Sequence, residues 1–268
     1  MNGVRHFLLA LQFFTRVPVT GGLAGWVGYS PAMLRASAAH FPGVGWLVGA
    51  VGAGVFVIAQ LGLPGWAGAL VAALLSTIAT VWMTGAFHED GLADLADGLG
   101  GSADRERALA IMKDSRIGAF GAIALVLALA LKVALLAVLA GQGALAVAAA
   151  LVAAHVLSRL APLFLIRWLP YVGGEGGEGG ASKAKPLADA IGGSALLAGI
   201  AWSLPALGLL VATHDTAHGL AALALCAVAA LGVGRLLRRR LQGFTGDGLG
   251  ATQQVAEIAI YLALAWQA

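Results

Sequence analysis

The sequence predicts an all-α fold: a polytopic integral membrane helical bundle with about seven transmembrane helices and an N-terminal interfacial helix. Of 268 residues, 60% are hydrophobic and 11% charged, and the mean hydropathy is +0.89. Soluble domains carry about a quarter charged residues. Apolar windows of about 20 residues, the length that crosses a bilayer, lie at 41–63, 66–87, 117–140, 143–166, 189–212, 218–234 and 249–268. We expect one membrane domain over residues 1–268.

The N-terminal segment 7–14 follows Arg5 and precedes Arg16. Its apolar run is short, and no small-residue cleavage site follows it. We therefore expect a helix at the membrane interface and not a signal peptide.

Small residues recur at helical spacing in the first span, at Gly45, Gly49 and Ala53. This spacing lets membrane helices approach closely. Cys226 is the only cysteine of the chain, which excludes an intrachain disulfide.

Lysine and arginine alternate between the connections. Those near 64–65, 141–142 and 213–217 contain none, whereas the other connections hold nearly all of them. By the positive-inside rule, the N-terminus and the long loops are cytoplasmic and the C-terminus is outside. The net charge of +3 therefore reflects the orientation of the chain in the membrane. The same lysines and arginines can also contact anionic lipid head groups. It does not indicate nucleic-acid binding.

Residues 84–98, TGAFHEDGLADLADG, place five ionisable side chains directly after a long apolar segment. In a helix, Asp90, Asp94 and Asp97 lie within about 60° of one another around the axis. Neighbouring carboxylates repel unless a cation lies between them, and oxygen ligands favour Mg²⁺ or Mn²⁺. We predict a metal site here. The alternative is a solvated acidic helix face.

His88 and Glu89 resemble the start of a zinc-protease motif, but that motif needs a second histidine at position 92, which is leucine. Zinc hydrolysis is therefore excluded. His88 is either a donor behind the metal ligands or a polar residue at the lipid interface.

Two connections have distinctive compositions. Gly98, Gly100 and Gly101 are expected to end the acidic helix, and Ser102 to cap a second helix that ends near 114–115. The segment 172–188 is rich in glycine and glutamate and then carries two lysines. It is typical of a flexible linker or mobile lid, and it lacks phosphate-loop spacing.

Lys113, Asp114 and Arg116 precede the span that begins at 117. Lys113 and Arg116 are cationic, and the free backbone N–H groups at the start of the following helix also attract anions. Together they predict an anion-binding site. The alternative is a positive-inside anchor in which Asp114 caps the helix.

Charges inside the predicted spans need partners. Ser158 and Arg159 lie about two turns from the end of a span, where a charge usually faces a polar cavity or a partner. Lys132 lies mid-span and should be paired, with Glu257 as a conceivable partner. We predict no role in the chemistry for Lys132 or Glu257.

Arg16 and Asp247 lie where the chain meets the cytoplasmic side of the membrane, although Asp247 among glycines is also typical of a simple turn. The predicted topology gathers acids and bases at one end of one bundle. Acids that hold a cation, beside bases that hold anionic oxygens, are what phosphoryl transfer needs.

Five motifs occur in order along nearly the whole chain: FFTRVP at 13–18, FPGVG at 41–45, the acidic stretch at 84–98, IMKDSRIG at 111–118 and TGDGLGA at 245–251. The sequence resembles the cobalamin synthase (adenosylcobinamide-GDP ribazoletransferase) family. Its glycine–glutamate repeat at 173–180 is longer than that family leads us to expect.

The resemblance implies that the ribose 3′-hydroxyl of α-ribazole, or of its 5′-phosphate, attacks the phosphorus attached to cobinamide in adenosylcobinamide-GDP, and that GMP leaves. It implies Mg²⁺ as cofactor, no nucleic-acid partner, and a site on the cytoplasmic face of the bacterial inner membrane. The expected metal ligands are Asp90, Asp94 and Asp97, and the expected catalytic residues are Asp97, Lys113 and Asp114. The expected substrate contacts are Arg16, His88, Glu89, Arg116, Ser158, Arg159 and Asp247.

Two other classes compete. A CDP-alcohol phosphatidyltransferase also uses spaced aspartates and Mg²⁺, but here Asp90-Gly91 is followed by Ala93-Asp94, where that signature has Ala-Arg. A cation- or proton-coupled transporter would use acids near the bilayer midplane, whereas these are predicted at one edge.

Overall fold

The computed structural model describes residues 2–174 and 191–266, and over these ranges the protein is helical without a β-strand. The predicted all-α class is confirmed. The helices are α1 Asn2–Phe14, α2 Gly21–Val27, α3 Pro31–Ser37, α4 Phe41–Gly62, α5 Gly65–Thr84, α6 Phe87–Gly101, α7 Arg105–Met112, α8 Ala119–Leu139, α9 Ala144–Trp168, α10 Gly193–His214, α11 Thr216–Arg240 and α12 Gly246–Ala265.

Six helical segments of the described chain are long and apolar enough to cross a membrane: Pro31–Gly62, Gly65–Thr84, Ala119–Gln142, Ala144–Trp168, Gly193–His214 and Thr216–Arg240. The seventh predicted span corresponds to α12, which differs because it carries Thr252, Gln253, Gln254 and Glu257. These four side chains are buried among the other helices. The structure therefore supports a multi-pass membrane bundle of six apolar helices around a more polar α12.

Helices α4 and α9 pack at the predicted small residues. A Cβ atom on Gly49 would lie 2.6 Å from the Cα of Val152, and one on Gly45 would overlap the carbonyl of His155. Both glycines are thus required for this contact, which confirms the prediction of close helix approach.

Contacts between connections define the two ends of the bundle. At one end, Gln142 donates to the Leu264 carbonyl at 2.9 Å, so the α8–α9 connection meets the end of α12. At the other end, Arg105 donates to the Leu241 carbonyl at 2.7 Å, and Arg240 donates to the Ser102 carbonyl at 2.6 Å. The cationic connections after α6 and α11 therefore share one end, which we call the arginine-rich end.

Glu257 of α12 is the centre of a buried ion pair. Its Oε1 lies 2.7 Å from Lys132 Nζ of α8 and accepts a hydrogen bond from the Tyr261 hydroxyl at 3.1 Å. Its Oε2 accepts from Gln253 Nε2 at 2.7 Å. Lys132 and Glu257 are each 1% exposed, so the partner that the sequence predicted for Lys132 is confirmed.

The predicted end of the acidic helix is confirmed at Gly101, the last of the three glycines named for it. The helix continues through Gly98 and Gly100, because these glycines face neighbouring helices and make room for them. The cap of α7 is Asp104, whose Oδ1 accepts from Arg107 N at 2.8 Å, while Ser102 Oγ accepts from Asp104 N. Helix α7 ends at Met112, earlier than expected.

The predicted N-terminal helix is present as α1, with Leu9, Leu11 and Phe14 buried against the bundle. The predicted linker or lid at 172–188 lies, from residue 175 onward, outside the described residues.

The buried ion pair generates a stability prediction. Lys132→Met leaves the Glu257 carboxylate buried without its cation, so the free energy of unfolding should fall by about 3–5 kcal/mol. The measurement is thermal unfolding of the purified protein in detergent. Lys132→Met with Glu257→Gln should recover part of the loss, and Leu131→Met, at a 44% exposed neighbour, should have little effect. A wild-type melting temperature for Lys132→Met would contradict the pairing.

Candidate active site

Helices α6 and α12 cross in backbone contact at the arginine-rich end. A Cβ atom on Gly91 would lie 2.9 Å from the Asp247 carbonyl oxygen, and one on Gly250 would lie 3.3 Å from the His88 carbonyl oxygen. A larger residue at Gly91 would push the helices apart. The contact places the start of α12 against the first turns of α6, which carry the predicted acidic residues.

Three carboxylates meet at this crossing. Asp90 is exposed, whereas Asp94 and Asp247 are half-buried. Burial, and then the charges of Asp247, Asp90 and Asp97, raise the pKa of Asp94 to about 7. Burial and the charge of Asp90 raise the pKa of Asp247 to about 6. No lysine or arginine of the described chain forms an ion pair with these three, so their mutual repulsion is uncompensated.

Asp97 is turned toward helix α8. Its Oδ2 accepts from Gly118 N at 2.7 Å and its Oδ1 from Gly121 N at 2.8 Å. Both carboxylate oxygens therefore satisfy backbone N–H groups at the start of α8, which otherwise lack helical partners. Asp97 adds its charge to the cluster, but its hydrogen bonds connect α6 to α8.

The cluster offers oxygen donors, which Mg²⁺ prefers. In residues 2–174 and 191–266, no three His, Cys, Asp or Glu side chains are placed closely enough to hold an ion together. Asp90, Asp94 and Asp97 share one helix face as predicted, but they do not form a closed ligand set. The metal site stays a prediction.

Lys113, Asp114 and Arg116 lie between α7 and α8. Arg116 donates to Asp114 from Nη2 at 2.6 Å and from Nε at 2.9 Å. These hydrogen bonds lower the pKa of Asp114 to about 2, so Asp114 orients Arg116 and is a poor proton acceptor at neutral pH. Lys113 extends toward Gly174, on which a Cβ would lie 2.9 Å from Lys113 Nζ.

Arg16 lines a different surface from the carboxylates. Its backbone N–H donates to the Met83 carbonyl at 2.8 Å, and its exposed side chain borders an apolar groove between α5 and α8 that includes Trp82 and Val133. The structure does not bring Arg16 into contact with the acidic cluster.

An aromatic slot opens beside the helix crossing, between α1, α4, α6, α9 and α12. Its cavity volume is about 30 Å³. Phe14 packs edge-on against Phe41, with ring centroids 4.4 Å apart, and stacks on His88 at 5.6 Å. Burial, and then the charge of Arg159, lower the pKa of His88 well below its usual range. The side chains that define the slot are Phe13, Phe14, Phe41, Phe87, His88 and Arg159.

Ser158, Arg159 and Glu89, which were predicted to contact substrate, lie in a buried polar network. Ser158 Oγ accepts from Gln253 Nε2 at 2.9 Å, and Glu89 Oε1 accepts from Gln254 Nε2 at 3.0 Å. Ser158 and Glu89 thus anchor α12 to α9 and α6. Arg159 is the member of this trio that lines the slot.

Sequence reasoning missed the phenylalanines of the slot and the two glutamines of α12. Phe13 and Phe14 belong to the FFTRVP motif and Phe41 to the FPGVG motif. Aromatic residues are common at the ends of membrane helices, so their presence alone does not predict a binding site. The adjacent amides of Gln253 and Gln254 were a usable signal, because polar groups within a span need partners.

Fold and site together define a helical membrane protein whose carboxylate cluster and cationic connections share one end of the bundle. Residues 6–265 match the family model described as cobalamin-5-phosphate synthase. The chain belongs to the cobalamin-5-phosphate synthase family.

Curated relatives span the whole chain. It is 56% identical over 275 residues to the adenosylcobinamide-GDP ribazoletransferase of Polaromonas naphthalenivorans (strain CJ2), with 98% of each protein covered. It is 57% identical over 277 residues to the same-named protein of Albidiferax ferrireducens, again with 98% of each covered. The protein of that name from Leptothrix cholodnii is 48% identical, over 98% of this chain and 95% of the relative. No solved structure matches the chain.

Two isosteric substitutions should separate the roles of the helix α6 aspartates. Asp97→Asn weakens the acceptor of two N–H groups and should lower the free energy of unfolding by roughly 1–3 kcal/mol. Asp94→Asn removes a repelled charge and should leave stability unchanged or raise it. Thermal unfolding in detergent with EDTA measures both. The opposite order of stabilities would refute these assignments.

Proposed function

We propose that this protein transfers the adenosylcobinamide phosphoryl group of adenosylcobinamide-GDP to α-ribazole or its 5′-phosphate. The products are GMP and adenosylcobalamin or its 5′-phosphate, formed in the last steps of cobalamin biosynthesis. The observation that carries the proposal is membership of the cobalamin-5-phosphate synthase family over residues 6–265, with relatives named for this transfer. The acidic cluster lies within the matched region and fits phosphoryl-transfer chemistry.

We propose Mg²⁺ as the cofactor of the reaction. The donors at the helix crossing are carboxylate oxygens that lack a cationic partner in the described chain, and this set fits a hard divalent ion. Asp90, Asp94 and Asp247 would supply protein ligands, with oxygens of the substrate diphosphate completing the set, because no three described carboxylate, His or Cys side chains lie closely enough to hold an ion by themselves. Asp97 is less suited, because both of its oxygens accept backbone N–H groups. When bound, the ion would offset negative charge on the diphosphate and on the departing GMP.

The remaining steps are assigned to side chains of the protein. Lys113 and Arg116 neutralise phosphate oxygens, and Asp114 holds the Arg116 guanidinium in place. The ribose 3′-hydroxyl forms a bond to the phosphorus attached to cobinamide, and the bond from that phosphorus to GMP breaks with its electron pair. The hydroxyl proton leaves to water, because the three carboxylates at the helix crossing are assigned to the cation.

We propose that the protein resides in the bacterial inner membrane with its site on the cytoplasmic face. The acidic cluster and the cationic connections share the arginine-rich end, and cationic loops remain on the cytoplasmic side. Polar nucleotide substrates made in the cytosol would reach the site there. The exposed arginines of this end are also suited to anionic lipid head groups.

The proposal predicts GMP release from adenosylcobinamide-GDP and α-ribazole by the purified protein, and its loss with EDTA. Asp94→Asn and Asp247→Asn should each lower kcat by at least about a hundredfold, the scale seen when one strong electrostatic contact to a transition state is removed. Chromatographic measurement of GMP tests this.

Asp215→Asn is the matched control. Asp215 caps α11 at the opposite end of the bundle by accepting from His218 N at 3.0 Å, and asparagine is an equally good cap. Its turnover should equal that of the wild type. Release of CMP from a CDP-lipid would instead indicate a phosphatidyltransferase, and near-native turnover by Asp94→Asn would contradict the proposed role of the cluster.

A further inference from the structure

An apolar groove with a cavity volume of about 480 Å³ runs between α9 and α11. Both helices belong to the six that are apolar enough to cross a membrane. Residues between 157 and 168 line the groove on α9, and residues between 223 and 238 line it on α11. At 1.5 Å per residue, these stretches are about 16 and 22 Å long. One leaflet takes up half of the hydrocarbon core, or about 15 Å, so the groove has the length of an acyl chain in one leaflet.

The lining of this α9–α11 groove is hydrocarbon along most of its length. Apart from two arginines, the lining residues are leucine, alanine, phenylalanine, tryptophan, cysteine and one glycine. Leu223 and Leu231 on the α11 side are 37% and 50% exposed. Phe164 and Trp168 on the α9 side pack together, with ring centroids 5.2 Å apart. Lipid chains are as apolar as leucine, so an acyl chain matches this lining.

Small side chains on α11 keep the groove open. A Cβ atom on Gly234 would lie 2.8 Å from Leu165 Cδ2, so the two helices are in contact there. Farther from the arginine-rich end, Ala227 is exposed and Ala230 is half-buried, and both line the groove. Their methyl groups extend little from the backbone. Space therefore remains between the helices that longer side chains would fill.

Two arginines lie at one end of the groove. Arg235 and Arg238 are three residues apart on α11, so they share a helix face, and both line the groove with exposed side chains. Among the described residues, neither side chain forms a hydrogen bond or an ion pair. Two positive charges are thus available to a ligand at this end.

The arginines lie where hydrocarbon meets the head groups of the bilayer. The chain after α9 meets the chain after α11, since Val172 N donates to the Phe244 carbonyl at 2.9 Å. Trp168, the last residue of α9, therefore lies at the same end as the arginines and is 63% exposed. Tryptophan is enriched at the membrane–water interface. The charged end of the groove accordingly matches the depth of a lipid phosphate.

We infer that the α9–α11 groove binds an anionic phospholipid, with one acyl chain along the two helices and the phosphate at Arg235 and Arg238. Guanidinium groups are well suited to phosphate oxygens. A zwitterionic lipid carries its own cation beside the phosphate, so it gains less from the two arginines. This inference does not depend on the proposed reaction.

A second copy of the chain is a poorer occupant of the groove. Helices α9 and α11 contain no aspartate or glutamate. In a two-fold symmetric dimer the same surface of each copy meets the other, so this face would bring arginines against arginines. Charge complementarity therefore favours the anionic lipid.

Native mass spectrometry of the purified, delipidated protein in detergent tests the role of charge. The probes are phosphatidylglycerol and phosphatidylcholine with identical acyl chains. Wild-type protein should bind its first phosphatidylglycerol about tenfold or more tightly than phosphatidylcholine, since each arginine near an anionic lipid contributes roughly fivefold. Arg235→Gln with Arg238→Gln should abolish this preference. Arg107→Gln with Arg239→Gln is the matched control and should keep it, because these exposed arginines do not line the groove.

A second variant tests the acyl-chain part of the groove. Ala227→Trp should abolish tight binding of both lipids, because the indole ring takes up the space of the chain. Ala221→Trp is the control, since Ala221 is an exposed residue of α11 that does not line the groove. Its binding of both lipids should equal that of the wild type.

Three results would overturn the inference. The first is equal affinity of the wild type for the two lipids. The second is an equal loss of preference in both arginine pairs, which would show that lipids respond to the whole arginine-rich end and not to this groove. The third is a lipid-free dimer that Ala227→Trp dissociates, which would assign the groove to a second copy. Failure of the proposed reaction would leave all of these binding measurements unchanged.

Discussion

Repulsion between carboxylates is the constraint around which the site is arranged. Helices α6 and α12 touch at Gly91 and Gly250, and this contact brings Asp247 beside Asp90 and Asp94. Burial first, and then the charges of neighbouring carboxylates, raise the pKa values of Asp94 and Asp247, so keeping both groups ionised here costs free energy. Destabilising groups of this kind are usually retained at functional sites. A cation bound between the carboxylates would remove their repulsion.

Helix α12 connects the site to the interior of the membrane bundle. Its side chains Thr252, Gln253, Gln254 and Glu257 are buried among the other helices. Gln253 and Gln254 connect it to Ser158 and Glu89, and Glu257 pairs with a lysine of α8. This network fixes the start of α12, hence Asp247, relative to α6 and α9. Stability of the polar interior and geometry of the carboxylates therefore depend on the same helix.

The sequence predicted what depends on local geometry. The spacing of Asp90 and Asp94 places them on one helix face whatever surrounds it, and a lysine mid-span, Lys132, needs a buried partner in any fold. The direction of Asp97 toward α8 and the arrival of Asp247 depend on how helices distant in sequence cross. The aromatic slot is lined by residues of five helices that are distant in sequence. No single stretch of sequence therefore predicts it. Gly98 and Gly100 do not break α6 as expected, because they make room for neighbouring helices.

The central claim is that carboxylates of α6 and α12 together hold a divalent cation. Electron paramagnetic resonance of Mn²⁺ added to the purified protein in detergent tests it directly. The account predicts bound Mn²⁺ that Mg²⁺ displaces, with binding weakened at least about tenfold by Asp247→Asn, because a charged ligand oxygen is lost. Absence of bound Mn²⁺ even with adenosylcobinamide-GDP present, or equal binding by Asp247→Asn, would contradict it.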